Sequence, residues 1–200
     1  HEKSCLAACP LVSDGKALVA QFSSNDVFCL DLQGQLLWLR GLTFDYPNAA
    51  NGLGMSSSPV LAEGVAIIQV ENDADSFTFG LDLANGATLW KKDRPRGANW
   101  TSPIVMRTKG REIVALQSKD GLSAIEPSSG EEIWSFDGGA STIPSSAWSQ
   151  EGLVLVPSNG LTALKMNATG ERPEKVWTDN KLKPGTGSPT VVQDKVYVVN

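Results

Sequence analysis

Histidine is almost missing from this sequence: the one copy is His1, at the terminus. With its only imidazole at the terminus, the chain offers no Ser-His-Asp triad and no His-based metal site within its body. Cysteine is scarce as well, with only Cys5, Cys9 and Cys29, which allows at most one internal bridge and leaves a thiol over. Cys5 and Cys9 are close enough in the chain to pair, but they lack the further Cys or His partners of a zinc site. Cys29 lies in a strand-like apolar run and reads as a buried thiol. Neither GxGxxG nor GxxxxGK(S/T) occurs, so the known phosphate-cradling loops are missing. Basic residues are not in excess: Lys and Arg number 17 against 22 Asp and Glu, a net charge of −5. The acids are spread along the chain, which argues against a nucleic-acid partner. No apolar run approaches the ~18 residues of a membrane span. The chain begins at His1 rather than Met and shows no signal peptide, so it reads as a processed or excised piece.

What is present is a repeat. With 41% hydrophobic and 20% charged residues, the composition suits a globular protein with a sizeable core. LDLANGATLW (81–90) is echoed by LDLQGQLLW (30–38) and IEPSSGEEIW (125–134), and in decayed form by LKMNATGERPEKVW (164–177). The motif tryptophans Trp38, Trp90, Trp134 and Trp177 are separated by 52, 44 and 43 residues. Ser58-Pro59-Val60, Ser102-Pro103-Ile104 and Ser188-Pro189-Thr190 keep the same beat, with Cys9-Pro10-Leu11 and Ser146-Ala147-Trp148 in the remaining slots. A period in the forties marks repeat architecture. Within unit two, SPVLA, VAIIQV, FTFGLDL and ATLW read as strands, and Gly, Asn, Asp and Pro fill the gaps. No sustained i, i+3, i+4, i+7 apolar series predicts a long helix. Four short antiparallel strands per unit describe one blade of a β-propeller.

The expectation is an all-β chain of about four and a half four-stranded blades, at 9–42, 57–92, 101–137, 145–179 and an incomplete 187–200. Trp38, Trp90, Trp134 and Trp177 are expected to pack between neighbouring blades, with Trp177 set differently because Lys165 replaces the acid and extra residues follow Gly170. The acid, the Gly-containing turn and the Trp four residues after that Gly (Asp82, Gly86, Trp90; Glu126, Gly130, Trp134; Asp31, Gly34, Trp38) resemble the repeat of quinoprotein-type propellers. That superfamily includes the pyrroloquinoline-quinone (PQQ) dehydrogenases and the propeller lipoprotein of the outer-membrane Bam assembly complex. DGKALVAQF and SFTFGLDLANGATLWKKDRPRGANWTSPIV are similar to PQQ-like repeat proteins of planctomycetes. The resemblance implies a bacterial, periplasmic or secreted protein, and a ring of seven or eight blades of which this piece is a part. It identifies a scaffold and not a reaction.

Strand alternation divides the connections between two faces. The one–two and three–four turns are short. The two–three loops and the crossings between blades are long and varied, and binding residues concentrate on such loops. The site is therefore expected on this second face, at the mouth of the central channel. Asp73 and Asp75, beside Glu71 and Asn72, resemble a fragment of a calcium loop, although a full site needs about 6–8 oxygens; the alternative is a solvated loop. Arg94, Arg96 and Trp100 suit an anionic or carbohydrate-like ligand, or else form a charged surface with one packed aromatic. Phe44, Tyr46 and Asn51 either line a pocket or cover the blade edge. The leading function is a non-catalytic propeller that binds a protein or a small ligand. The alternatives are a PQQ-dependent dehydrogenase, whose adjacent Cys-Cys pair is not found here, and a hydrolase built on a carboxylate pair. No resident cofactor is expected.

Overall fold

Short runs of β-branched and aromatic residues, joined by tight turns, pair with their neighbours in the chain. The computed structural model describes residue 7 and residues 9–108, 110–167, 171–193 and 195–200, and in it each sheet keeps chain order, antiparallel throughout. The first sheet is β1 (Val12–Ser13), β2 (Ala17–Gln21), β3 (Asp26–Asp31) and β4 (Leu36–Gly41). A single helical turn, α1 (Leu42–Asp45), begins the crossing to β5 (Val60–Ala62), β6 (Val65–Val70), β7 (Phe77–Asp82) and β8 (Thr88–Asp93). The third sheet holds β9 (Ile104–Thr108), β10 (Arg111–Ser118), β11 (Gly121–Ile125) and β12 (Glu132–Phe136). The fourth holds β13 (Ala147–Trp148), β14 (Leu153–Ser158), β15 (Gly160–Lys165) and β16 (Glu174–Asp179), and β17 (Thr190–Val192) with β18 (Lys195–Tyr197) begins a fifth. First strands adjoin one another: β1 meets β5, β5 meets β9, β9 meets β13 and β13 meets β17. They form the inner wall, the fourth strands lie outermost, and the sheets stand as blades of a β-propeller.

The core lies between blades, and the tryptophan motif explains how. Trp38 joins Val19 and Val27 of its own blade to Ala66, Ile68 and Leu81 of the next. Trp90 reaches Val114, Leu116 and Ile125, and Trp134 reaches Val154, Val156 and Leu164. These indoles are 8%, 8% and 4% exposed. The Trp38 Nε1 donates to Leu83 O and the Trp90 Nε1 to Pro127 O, each at 2.9 Å, in the three–four turn of the following blade. The glycine of that turn is the floor beneath the indole. Gly86 and Gly130 have φ of +73° and +68°, and a Cβ on either would lie 2.7 Å from Trp38 or 2.6 Å from Trp90. Gly170, their counterpart in unit four, lies outside the described residues. Trp177 is half-buried and packs with Leu155, Leu161, Val191 and Val196.

Each tryptophan also needs room within its own sheet. The residues directly across the ladder from Trp38, Trp90, Trp134 and Trp177 are Cys29, Gly80, Ala124 and Ala163, all small. A Cβ on Gly80 would sit 2.2 Å from Trp90. This is why Cys29 is a buried thiol: cysteine behaves as a small hydrophobe. The register slips by one residue just before every motif tryptophan, a repeated β-bulge that leaves Leu37, Leu89 and Val176 about half exposed on the outer edge.

Around the axis, serines stitch the blades together. Ser58 N donates to Ser102 Oγ (2.9 Å), Ser102 N to Ser145 Oγ (2.8 Å) and Ser145 N to Ser188 Oγ (2.9 Å). This corrects the slot assigned to Ser146-Ala147-Trp148: the unit opens at Ser145, and Ser146 stands where the other units have proline. The exchange has a consequence. Gln117, near the end of β10, accepts at Oε1 from both the N–H and the hydroxyl of Ser146, each at 2.7 Å. Gln21 and Gln69 occupy the same place in blades one and two, but there the position equivalent to Ser146 is Pro59 or Pro103, which has no N–H to offer. Their Oε1 atoms are buried and have no partner among the described residues.

Candidate functional site

The long second-face loops are tied to one another by backbone groups before any side chain is considered. In the 71–76 loop the buried Asn72 accepts from Ala74 N at 2.7 Å and donates to Asp75 O at 2.8 Å, an Asx turn. Arg94 N donates to Ser76 O and Gly97 N to Asn72 O, each at 2.9 Å, so the crossing that leaves blade two is zipped onto this loop. Tyr46, at the end of α1, comes from the preceding crossing and packs on Phe77 and Phe79 with ring centroids 4.7 and 5.5 Å away. Lys91 Nζ lies 4.5 Å from the Tyr46 centroid and 4.9 Å from that of Phe77, a cation–π arrangement worth about 0.5–1 kcal/mol at an exposed site.

These segments enclose a cavity of about 380 Å³ to which Tyr46, Asp75, Lys91, Asp93, Arg94 and Arg96 contribute. Four of the six residues expected to bind therefore meet in one place: Tyr46, Asp75, Arg94 and Arg96. The place differs from the expectation. β7 and β8 form one wall, so the cavity opens on the outer half of the second face and not at the channel mouth. Chain order in the sheet puts third and fourth strands far from the axis, and sequence alone did not say which strand ends the loops would cover.

Asp73 is exposed and takes no part in the cavity. Glu71, the acid beside it, turns inward and is 2% exposed. Its Oε1 accepts from Arg94 Nε at 2.6 Å and its Oε2 from Asn99 Nδ2 at 2.7 Å. Burial pushes the Glu71 carboxyl above its ordinary range, with Arg94 and Asn99 opposing. Arg94 continues across to Ser123 Oγ of blade three at 2.5 Å. Its side chain is thus a buried inter-blade tie, presenting only part of itself to the cavity. Glu71 is committed to this tie and Asp73 turns to solvent, so these two carboxylates of the 71–76 loop do not converge. No group of three or more His, Cys, Asp and Glu able to hold a metal exists among the described residues.

Trp100 is a staple: its Nε1 donates to Gly54 O at 2.9 Å and its N to Thr142 O at 2.8 Å, joining three crossings. Asn51 is an internal link to Glu71 O at 3.1 Å, whereas Phe44 is 91% exposed. The thiol of Cys9 lies 3.8 Å from Met55 O, and burial pushes it up to about 11; Cys5 lies outside the described residues. The sequence reading missed the buried Gln21, Gln69 and Gln117. Their signal was a Gln recurring every 48 residues in ALVAQF, AIIQVE and VALQSK.

A family model described as outer membrane protein assembly factor BamB matches residues 3–200. The chain belongs to this BamB family. No curated protein matches the chain. The solved BamB of Moraxella catarrhalis is similar at 19% identity with a TM-score of 0.68, over 94% of this chain and 54% of that one. The quinohemoprotein alcohol dehydrogenase ADHIIG of Pseudomonas putida HK5 is similar at 14% identity with a TM-score of 0.61, over 95% of this chain and 38% of that one. That of Comamonas testosteroni gives 14% and 0.63, over 98% and 40%. At such identities the likeness is one of fold, and the chain spans about half of the BamB and two fifths of each dehydrogenase. No helix among the described residues is long and apolar enough to cross a membrane.

Proposed function

We propose that this BamB-family propeller is a non-catalytic scaffold that holds a protein partner on its second face, in a periplasmic or secreted setting. Its rim cavity receives an acidic side chain from an extended segment of that partner. The observation that carries this reading is the convergence of Tyr46, from the first crossing, with Lys91 and Arg96, from β8 and the crossing after it, into one cavity. Arg96 is exposed and makes no ion pair among the described residues. A cation held over aromatic rings next to a free guanidinium suits a carboxylate with an apolar stem. The enzyme readings draw less support. Asp75 and Asp93 flank the same cavity, but neither is buried, so nothing sets one carboxyl apart as the acid and the other as the base. A quinone reading draws no support from an adjacent-cysteine pair, since this sequence contains none.

Titration with a fluorescein-labelled peptide rich in Glu and Phe, against a Lys-for-Glu counterpart, tests this. The acidic peptide should bind, and the Lys91→Glu, Arg96→Glu double variant should weaken it by about tenfold or more, consistent with loss of favourable charge pairing. Unchanged binding by that variant, or saturable binding of PQQ with calcium, would reject the reading.

A further inference from the structure

The same notch recurs in successive blades, and what fills it differs. It lies beside the cross-strand pair one step past the tryptophan towards the second face. In blade two this pair is Phe79 and Lys91, and Tyr46 packs against it. In blade three it is Ser123 and Ser135, and the Ser123 hydroxyl receives Arg94 from the neighbouring blade. In blade four it is Thr162 and Thr178, whose hydroxyls, among the described residues, bond only each other, at 3.0 Å. The crossing above them runs Gly138, Gly139, Ala140, Ser141, too small to send a side chain down. The result is a cavity of about 650 Å³, within the usual range for small-molecule sites.

Its chemistry is distinct from that of blade two. Lys119 and Lys175 stand at the cavity, and no carboxylate lines it, although the chain as a whole carries a charge of −5. The amides of Asn159 and Asn180 line it too and make no side-chain hydrogen bond among the described residues. Each threonine hydroxyl retains hydrogen-bonding capacity beyond the Thr162–Thr178 contact. Phe136 adds an aromatic wall, its ring so close to Gly138 that a Cβ there would sit 2.1 Å away. Amides, hydroxyls and one ring complement a polyhydroxylated ligand, and two ammonium groups that make no ion pair among the described residues suit an anionic one.

We propose that blade four carries a second binding site, between crossing 137–146 and strands β15 and β16, that takes an acidic oligosaccharide. Calorimetric titration with tetragalacturonic acid, with maltotetraose and tetraglutamate as comparators, tests it. Tetragalacturonate should bind with a Kd on the order of 1 mM or tighter, and maltotetraose at least about tenfold more weakly for want of charge. The Lys119→Glu, Lys175→Glu variant should lose binding. So should Ala140→Tyr, which plugs the notch as Tyr46 does in blade two, while Lys91→Glu with Arg96→Glu leaves it intact. Circular dichroism confirms folding of each variant, and the two lysines are surface-exposed. No saturable binding of tetragalacturonate, equal binding by the lysine variant, or a preference for tetraglutamate would each overturn the assignment, the last in favour of a peptide site.

Discussion

Three glycines that look alike in sequence should respond unequally to the same substitution. Gly34, Gly86 and Gly130 each end the three–four turn of a unit with φ of +82°, +73° and +68°. Alanine in this left-handed region costs about 1–2 kcal/mol, and that cost applies to all three. The new methyl group then meets different surroundings. At Gly34 no atom lies within 4 Å, whereas at Gly86 the Cβ would be 2.7 Å from Trp38 Cδ2 and at Gly130 2.6 Å from Trp90 Cε3. Real Cβ atoms do not approach a ring so closely, and each indole is held by its hydrogen bond to a turn carbonyl, so the blades must part slightly. Overpacking of this kind costs a further ~1–3 kcal/mol. Gly34→Ala should therefore lose about 1–2 kcal/mol, and Gly86→Ala and Gly130→Ala about 2–5 kcal/mol. Urea denaturation followed by tryptophan fluorescence measures these, with unchanged m-values showing that only stability moved. Near-UV circular dichroism should change for the second and third variants and not for the first. Three equal losses would show that backbone conformation alone explains the motif glycine, and the inter-blade packing argument would be refuted.

Trp90→Ala should cost roughly 3–5 kcal/mol, whereas Trp177→Ala, at a half-buried site, should cost clearly less; equal losses in denaturant titration would contradict the packing described. Arg94→Met strands a Glu71 carboxylate that is 2% exposed, so a loss of about 3–5 kcal/mol is expected, much of it recovered in the Glu71→Gln, Arg94→Met double variant. A double-mutant cycle with no coupling would disprove the tie. Because burial raises the Glu71 pKa above 4.5, the folded chain keeps a proton that the unfolded chain releases. Its stabilising contribution is full below pH 4.5 and fades as pH rises through the raised value. Subtracting the urea midpoints of Glu71→Gln from those of the parent across this window should expose the slope, and parallel profiles would deny it. Ser146→Pro removes the N–H that serves Gln117, and about 1–3 kcal/mol should go with a buried acceptor left unpaired; a melting temperature unchanged or raised would show that this bond matters little.

Much of this architecture was legible in the linear chain because blades are local objects. Strand, turn and bulge are decided by residues a few positions apart, and LDLANGATLW carries its acid, its turn glycine and its tryptophan within one hairpin. The repeated beat of Trp and Ser-Pro then announced radial units, and Cys29 read correctly as buried. What the chain concealed were relations between units. That Trp38 rests on Gly86, that Ser58 reaches Ser102, and that Gln117 finds Ser146 are contacts across 29 to 48 residues. Side-chain periodicity carries no information about partners at that distance. The same holds for the site: Tyr46, Asp75, Arg94 and Arg96 were all chosen from loop chemistry, yet only the packing of two crossings against blade two made them one cavity. Glu71 turned inward because burial with Arg94 and Asn99 satisfies its carboxylate, whereas Asp73 remained in water. Sequence determined the blades, since their causes are local; tertiary structure decided the seams, the rim cavity and the open notch of blade four, since each depends on which residue of one blade meets which residue of the next.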